Sequence, residues 1–293
     1  MLNTYKKEIH VRTGLPAIII FLLMMFFVFQ IGIVSDAYGA KGKPVFHLVS
    51  VGVGDIDLIT VRAIDTIKNS DVIVCREKTK EKFAEYLKGK EFLDSSLGSW
   101  HYYGKDCSKI KDKKKRAKCE ERRKMREKLV SRIRLQIARG KTIAVLDSGD
   151  PLIYGPMAWY LEEFKDLNPV VIPGVSCFNA ANAALGKCIT SGEKIHSVVL
   201  TSRRDIEKMS GHQPTMVIFT MGSKFKDIIK RLKEVYPLMT PVAIVVHAGY
   251  KEKEKVIRGT LKNIEGKFDD EKLPFEHLIY VGDFLTQRVK RDR

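Results

Sequence analysis

Three glycine-centred turns in the chain have the residue types and the spacing needed to bind a small ligand. Hydrophobic segments run directly into Gly52-Val53-Gly54-Asp55, Gly149-Asp150-Pro151 and Pro173-Gly174-Val175-Ser176. In an open α/β sheet, ligands bind just beyond the carboxyl ends of the strands. Glycine at such a point lets backbone N–H groups approach a ligand that any β-carbon would hold off. Three such turns in one chain indicate a single nucleotide-like ligand held by several loops.

The elements that must position these turns alternate between short β-rich segments and helix-like segments, as is typical of α/β architecture. Apolar residues at Val61, Ile64 and Ile67 predict a helix between the first two strands, with Thr60 as its N-cap. This β-α-β order implies a parallel strand pair with a right-handed crossover. Strands are predicted over 46–51, 71–75, 142–146, 169–172, 197–201, 215–221, 242–246 and 277–281, with a short edge strand within 252–258. Further helices are predicted over 129–140, from about 156 to 164, over 179–186 and over 224–235.

Two α/β domains account for this pattern. A boundary near Thr190-Ser191-Gly192 divides the chain into an N-terminal α/β domain, 44–190, and a C-terminal α/β domain, 191–288. The segment 100–128 is an insertion rich in basic residues within the first domain.

The first 40 residues are of a different kind and predict an N-terminal hydrophobic helix. No charged residue occurs from Thr13 to Ser35, and about 20 apolar residues suffice to span a bilayer. A transmembrane helix is therefore expected over about 14–34, as either a long signal peptide or an uncleaved anchor. We expect a membrane-associated protein, with the side of the membrane left open because the positive flanking charges differ only slightly.

About half of the formal net charge of +17 lies in one segment. Between Lys105 and Lys128 there are 13 Lys or Arg residues against 5 Asp or Glu residues. Three interpretations are open: a solvated helix, a surface for phosphates or anionic lipid headgroups, or an RNA contact, although few aromatic residues interleave with the charges to stack on bases. Of the five cysteines, none forms a Cys-x-x-Cys pair, so a metal site is not expected. Cys107 and Cys119 bracket the basic run and would pair if the domain were exported.

Residues 44–287 resemble the tetrapyrrole (corrin/porphyrin) methylases, which transfer methyl groups from S-adenosylmethionine (SAM). The three turns occur in the order typical of that family, and the second half continues the match. Its matching segments are Phe219-Thr220-Met221-Gly222, Thr240-Pro241-Val242-Ala243, Gly259-Thr260-Leu261 and Tyr280-Val281-Gly282. The resemblance implies a two-domain α/β enzyme, commonly a homodimer, with SAM in a cleft between the domains.

The family's SAM-binding positions carry over to named residues of this chain. They are Gly52, Val53, Gly54, Ser148, Gly149, Asp150, Ile153, Ser176, Cys177, Met221, Ala248 and Gly249. Asp55 and Asp150 are the carboxylates available near a bound sulfonium. Helix capping is the favoured interpretation of Asp55, whereas an Asp-Pro turn and a ligand contact stay open for Asp150.

Two departures from the family pattern bear on catalysis. Ser50 and Val53 replace the first glycine and the proline that the family's first turn usually carries. After the second strand, Arg76 and Glu77 stand where many members have an aspartate. An arginine there would pair with carboxylate arms of a tetrapyrrole, or it would mean that the usual acid–base step is absent. Candidate catalytic residues are therefore Asp55, Arg76 and Glu77.

The functional prediction is a SAM-dependent methyltransferase acting on a tetrapyrrole-like acceptor. Two alternatives stay open: an RNA methyltransferase on the same scaffold, and a non-catalytic membrane-associated protein that binds a tetrapyrrole. Because the Gly149-Asp150-Pro151 turn is intact, the tetrapyrrole branch is favoured and nucleic acid is not the expected partner.

Overall fold

The computed structural model describes residues 45–95, 98–193, 196–267 and 273–286. Its first sheet has five parallel strands in the order β3-β2-β4-β1-β5. Their bounds are β1 Phe46–Ser50, β2 Val72–Cys75, β3 Glu91–Asp94, β4 Ile143–Asp147 and β5 Val170–Ile172. The carboxyl ends of all five strands therefore lie along one edge, which carries the three predicted turns.

The second sheet is mixed and has the strand order β6-β7-β10-β8-β9. Only β6 and β7 pair in parallel, whereas β10 runs antiparallel to both of its neighbours. Its strands are β6 Val198–Ser202, β7 Thr215–Phe219, β8 Pro241–Val246, β9 Lys255–Thr260 and β10 His277–Val281. The prediction of two α/β sheets with helices is thus confirmed.

Seven α-helices occur within the described residues. They are α1 Val61–Lys68, α2 Glu77–Lys82, α3 Lys113–Ala138, α4 Trp159–Glu163, α5 Cys177–Leu185, α6 Ile206–Met209 and α7 Phe225–Val235. Thr60 caps α1, because its Oγ1 accepts a hydrogen bond from the Ala63 N–H at 3.1 Å. Unsatisfied N–H groups at a helix start favour such a side chain.

Each sheet is covered by apolar clusters on both faces. Helix α3, through Leu129 and Ile133, and helix α4 pack on one face of the first sheet, and α1 packs on the other. Helix α7 covers one face of the second sheet. The opposite face of the second sheet is covered by α5, a helix that directly follows the last strand of the first sheet.

The predicted N-terminal hydrophobic helix lies in residues 1–44, outside the described residues. In the part of the chain that is described, no helix combines the length and the apolar composition needed to cross a bilayer. On this finding, the prediction of a membrane localisation is corrected.

The basic insertion differs from the prediction in its form. Helix α3 begins at Lys113, whereas the apolar periodicity predicts a start at 129. Cys107 and Cys119 are joined by a disulfide bond, which ties the first turns of α3 to the segment before it. The disulfide therefore stabilises the early turns of α3, whose sequence contains few apolar residues.

Candidate active site

The three glycine turns of the first sheet meet around one buried serine. The Gly149 N–H donates to the Gly52 carbonyl at 2.9 Å, so the first two turns form a short antiparallel bridge. Ser50, which is fully buried, donates its hydroxyl to the Gly149 carbonyl. A β-carbon at Gly174 would lie 2.7 Å from that of Ser50, so the third turn also packs against this serine. The serine that departs from the family pattern thus joins the turns.

The first turn also contacts a turn of the second sheet. The Asp55 N–H donates to the Gly249 carbonyl at 2.8 Å, and Asp55 Oδ2 accepts from the Lys251 N–H at 2.9 Å. A β-carbon at Gly54 would lie only 2.5 Å from the Gly249 Cα. Both glycines have positive φ, 64° and 84°. Close approach therefore requires glycine on both sides, and Asp55 acts as a link between the two turns.

Several of the predicted SAM-binding residues lie around one apolar cluster between α5 and the second sheet. Ile153, Cys177 and Ala248 are partly buried against this cluster, which includes Phe219. Burial raises the pKa of the Cys177 thiol to about 11, so the side chain is a neutral, weakly polar surface. These three partly buried side chains, together called the apolar wall, have the chemistry suited to contact with a flat, largely apolar ring.

Other predicted residues have more individual positions. Met221 is 56% exposed and has a φ of 51°, an uncommon value for a residue with a side chain. Ser176 is buried as the N-cap of α5 and accepts from the Asn179 N–H at 3.2 Å. Ser148 is exposed, and Val53 lies against Gly149, where an added β-carbon would be 3.4 Å from Val53 Cγ1.

Asp150 closes its own turn, since its Oδ1 accepts from the Leu152 N–H at 2.8 Å. The side chain forms no ion pair with any residue that the structure describes. Both interpretations of this residue thus stay open, because one carboxylate oxygen can hold the turn while the other faces a ligand.

Of the two candidate catalytic residues directly after β2, Arg76 and Glu77, it is Arg76 that has an electrostatic link to the site. Glu77 is 60% exposed and forms an ion pair with Lys80 at 3.0 Å on the outside of α2. Arg76 is partly buried as the residue preceding α2, and its charge reaches the buried carboxylate of Asp147. The geometry therefore brings Arg76, but not Glu77, toward the carboxyl edge of the sheet.

Asp147 is a buried carboxylate that the sequence reasoning missed. It is the last residue of β4, is 2% exposed and lies opposite Ser50 in the strand register. Burial raises its pKa to about 6, against the opposing effects of the Ser148 backbone and the Arg76 charge. Its Oδ2 and the hydroxyl of Tyr160 have no hydrogen-bond partner among the described residues. A charged residue at the end of a buried apolar strand was the signal that could have revealed it.

A second titratable pair lies at the end of β8. His247 has a φ of 51°, and its Nδ1 lies 3.0 Å from Glu276 Oε2. Nearby, Lys82 Nζ donates to the Gly54 carbonyl, and burial lowers the pKa of this lysine.

Left-handed conformations at non-glycine residues concentrate at functional sites because surrounding contacts must hold them. Met221, His247 and Tyr154 all show one, and the Tyr154 ring lies 4.7 Å from the Phe219 ring at a tilt of 37°.

The residues at this edge fit SAM by their chemistry. The apolar wall of Ile153, Cys177 and Ala248 suits an adenine ring. Ser148 and Asp150 offer polar groups for hydroxyl or ammonium partners. The glycines of the facing turns leave space that a β-carbon would fill. The fold and this edge define a two-sheet α/β protein with a site for a nucleotide-like ligand.

Comparison with known proteins identifies the family. The model of the Tetrapyrrole (Corrin/Porphyrin) Methylases matches residues 45–265. The cobalt-precorrin-4 C(11)-methyltransferase of Methanocaldococcus jannaschii is 30% identical over 254 residues, covering 82% of this chain and 88% of that protein. The chain belongs to the tetrapyrrole methylases, and it is a SAM-dependent methyltransferase of that type.

Solved structures show the same fold. A cobalt precorrin-4 methyltransferase superposes with a TM-score of 0.64 at 22% identity, covering 84% of this chain and 98% of that one. A uroporphyrin-III C-methyltransferase from Thermus thermophilus, solved as a complex with S-adenosylhomocysteine, gives a TM-score of 0.58 at 18% identity, covering 82% and 92%. The SAM cofactor predicted from the sequence is in agreement with these relatives.

Proposed function

We propose that this protein transfers the methyl group of SAM to a ring carbon of a corrin precursor similar to precorrin-4. The observation that carries the proposal is the meeting of the Gly52, Gly149 and Gly174 turns at one sheet edge, in a chain that belongs to this family. The M. jannaschii relative, whose name specifies cobalt-precorrin-4 and carbon 11, supports the choice of acceptor.

Bound SAM supplies an electrophilic methyl group on a sulfonium. For this chain, the main task is then to hold the two reactants in line, since near-attack geometry can contribute about 7–11 kcal/mol. The apolar wall orients the cofactor's ring, and the facing turns at Gly54 and Gly249 hold the two sheets in contact. Arg76 is positioned to attract a carboxylate of the acceptor.

Asp150 is proposed to contact SAM with the carboxylate oxygen that does not close the turn. Calorimetric titration of SAM into the full chain tests this with two variants. Asp150→Asn keeps an oxygen for the Leu152 N–H but loses the charge, and Asp150→Ala loses both. We expect micromolar binding for the wild type and at least tenfold weaker binding for both variants, equivalent to about 1.4 kcal/mol.

The matched control is Asp65→Ala, which removes an exposed carboxylate from α1. SAM affinity should be unchanged in that variant. If Asp150→Ala bound SAM weakly while Asp150→Asn bound it like the wild type, the role of Asp150 would be to close the turn and not to contact SAM. Absence of SAM binding by folded wild-type protein would refute the proposed function.

The roles of the other predicted site residues are part of the same proposal, and so are the domain limits 44–190 and 191–288. Asp55 is assigned to the contact between the turns and Glu77 to the surface, so neither is proposed to act on the acceptor. A homodimer, which the resemblance implies, stays a prediction that light scattering of the full chain would test.

A further inference from the structure

The basic arm, defined as residues 98–128, extends from the edge of the first sheet that carries the site. It begins just after β3, where the Ser95 N–H donates to the Cys75 carbonyl next to Arg76. Its aromatic base packs against α4, with the Tyr103 and Trp159 rings 5.5 Å apart. Trp159 lies two residues beyond Met157, so the arm is anchored beside the loop that starts at Gly149.

The far part of the arm extends past the sheet. Helix α3 has 26 residues, a length of about 39 Å, whereas the five-residue strand β4 spans about 17 Å. Leu129 and Ile133 in the second half of α3 pack on the sheet. Because α3 leads into the start of β4, its first half must extend beyond the carboxyl edge.

Local contacts hold this projection in place. The disulfide between Cys107 and Cys119 joins the loop to the helix. Arg126 is buried and donates to the Ser99 and His101 carbonyls at 2.7 and 2.8 Å. These bonds fix the aromatic base of the arm against the side of α3.

The lysines of the arm are exposed, and most of them form no ion pair with another described residue. Among the residues that the structure describes, Lys109 and Arg123 form the arm's ion pairs, at 3.9 and 3.7 Å. The exposed lysines without an ion pair in that part of the chain are Lys105, Lys111, Lys113, Lys114, Lys115, Lys118, Lys124 and Lys128. Lys113 to Lys115 occupy the first turn of α3, where the helix dipole disfavours cations. Asp112 caps this turn, since its Oδ1 accepts from the Lys115 N–H at 3.0 Å, and an anion bound beside the three lysines would reduce their mutual repulsion.

We infer that the basic arm is a capture surface for a flat acceptor that bears several carboxylates, which it holds beside the site before methyl transfer. The inference rests on the proposed function. The exposed lysines of the arm pair with the carboxylates of the acceptor. The location of the arm at the site edge favours a small acceptor over RNA as its partner.

The test measures binding of a porphyrin octacarboxylate, uroporphyrin I, to the full chain by quenching of tryptophan fluorescence. The test variant carries Lys113→Gln, Lys114→Gln and Lys115→Gln. The control variant removes the same charge from the predicted C-terminal domain through Lys226→Gln, Lys230→Gln and Lys267→Gln, all of them exposed. At low salt we expect about tenfold weaker binding in the test variant only.

Three further measurements make the result decisive. A variant with arginine at the same three arm positions should retain wild-type binding, which excludes misfolding as the cause. The porphyrin tetracarboxylate coproporphyrin I should bind more weakly than the octacarboxylate, with a smaller dependence on salt. SAM affinity should be the same in every variant, so a failure of SAM binding would count against the proposed function and not against the arm.

Equal porphyrin binding by the test and control variants would overturn the inference. It would also be overturned if a structured RNA bound tightly at physiological salt and lost affinity in the test variant while uroporphyrin binding was unchanged. That second outcome would assign the arm to nucleic acid.

Discussion

Replacement of Asp147 by asparagine should stabilise the protein at neutral pH. Burial raises the pKa of this carboxyl from 3.8 to about 6, which corresponds to a cost of about 3 kcal/mol for holding the charge in the folded state. Because the folded state binds the proton more tightly than the unfolded state does, the cost is absent below the unfolded pKa. It grows as the pH rises and is complete above the folded pKa.

Asparagine carries no charge at any pH, so the variant avoids this cost. We expect its advantage in free energy of unfolding over the wild type to increase by about 2 kcal/mol between about pH 4.5 and about pH 7.5. Urea unfolding of both proteins at both pH values, analysed by linear extrapolation, measures the difference. Other titrating groups are common to both proteins and cancel in the comparison.

Tyr160→Phe is the matched control, because the Tyr160 hydroxyl is also buried without a partner among the described residues. Burial raises the pKa of this tyrosine far above its ordinary value of 10.0, so it is neutral at both pH values. Its effect on stability should therefore be independent of pH. An Asp147→Asn difference that is equally independent of pH would refute the reasoning, since the Arg76 charge and the backbone would then balance the effect of burial on the pKa.

Two further predictions concern backbone constraints. Gly54→Ala should lower the free energy of unfolding, measured in urea, by more than about 3 kcal/mol, because its β-carbon would overlap the facing turn. Gly89→Ala, with positive φ but open space around it, should lower it by only about 1–2 kcal/mol. Equal losses in the two variants would contradict the close packing. Removal of the disulfide by Cys107→Ser and Cys119→Ser should lower stability by about 3 kcal/mol for its 12-residue separation, measured by thermal unfolding, while Cys188→Ser, at an exposed free thiol, should have no effect.

The strands and the positions of the three turns were predictable because their signals are local. The central strands of the first sheet are apolar on both faces, so segments such as 143–146 appear as continuous hydrophobic runs in the sequence. Strand β3 was missed because this edge strand has exposed acidic residues at both ends, Glu91 and Asp94. Helix α2, which has no buried residue, offered no apolar periodicity.

The contacts that build the site could not be predicted from local sequence patterns. Gly54 and Gly249 are almost two hundred residues apart, and nothing in either segment specifies the other as a partner. The resemblance placed both at the site without indicating that their backbones touch. In the same way, the burial of Asp147 depends on neighbours supplied by the later helix α4, including Tyr160.

Helix α5 has a consequence for how the protein can be divided. In the chain it belongs with the first sheet, yet Ala181 and Leu185 are buried against the second sheet, and Tyr280 from β10 donates to Asn182 Oδ1 at 2.8 Å. A cut after this helix, near the predicted boundary at 190–192, would separate the second sheet from its own cover. The two halves are therefore expected to fold cooperatively as a single unit, and neither half would make a useful fragment on its own.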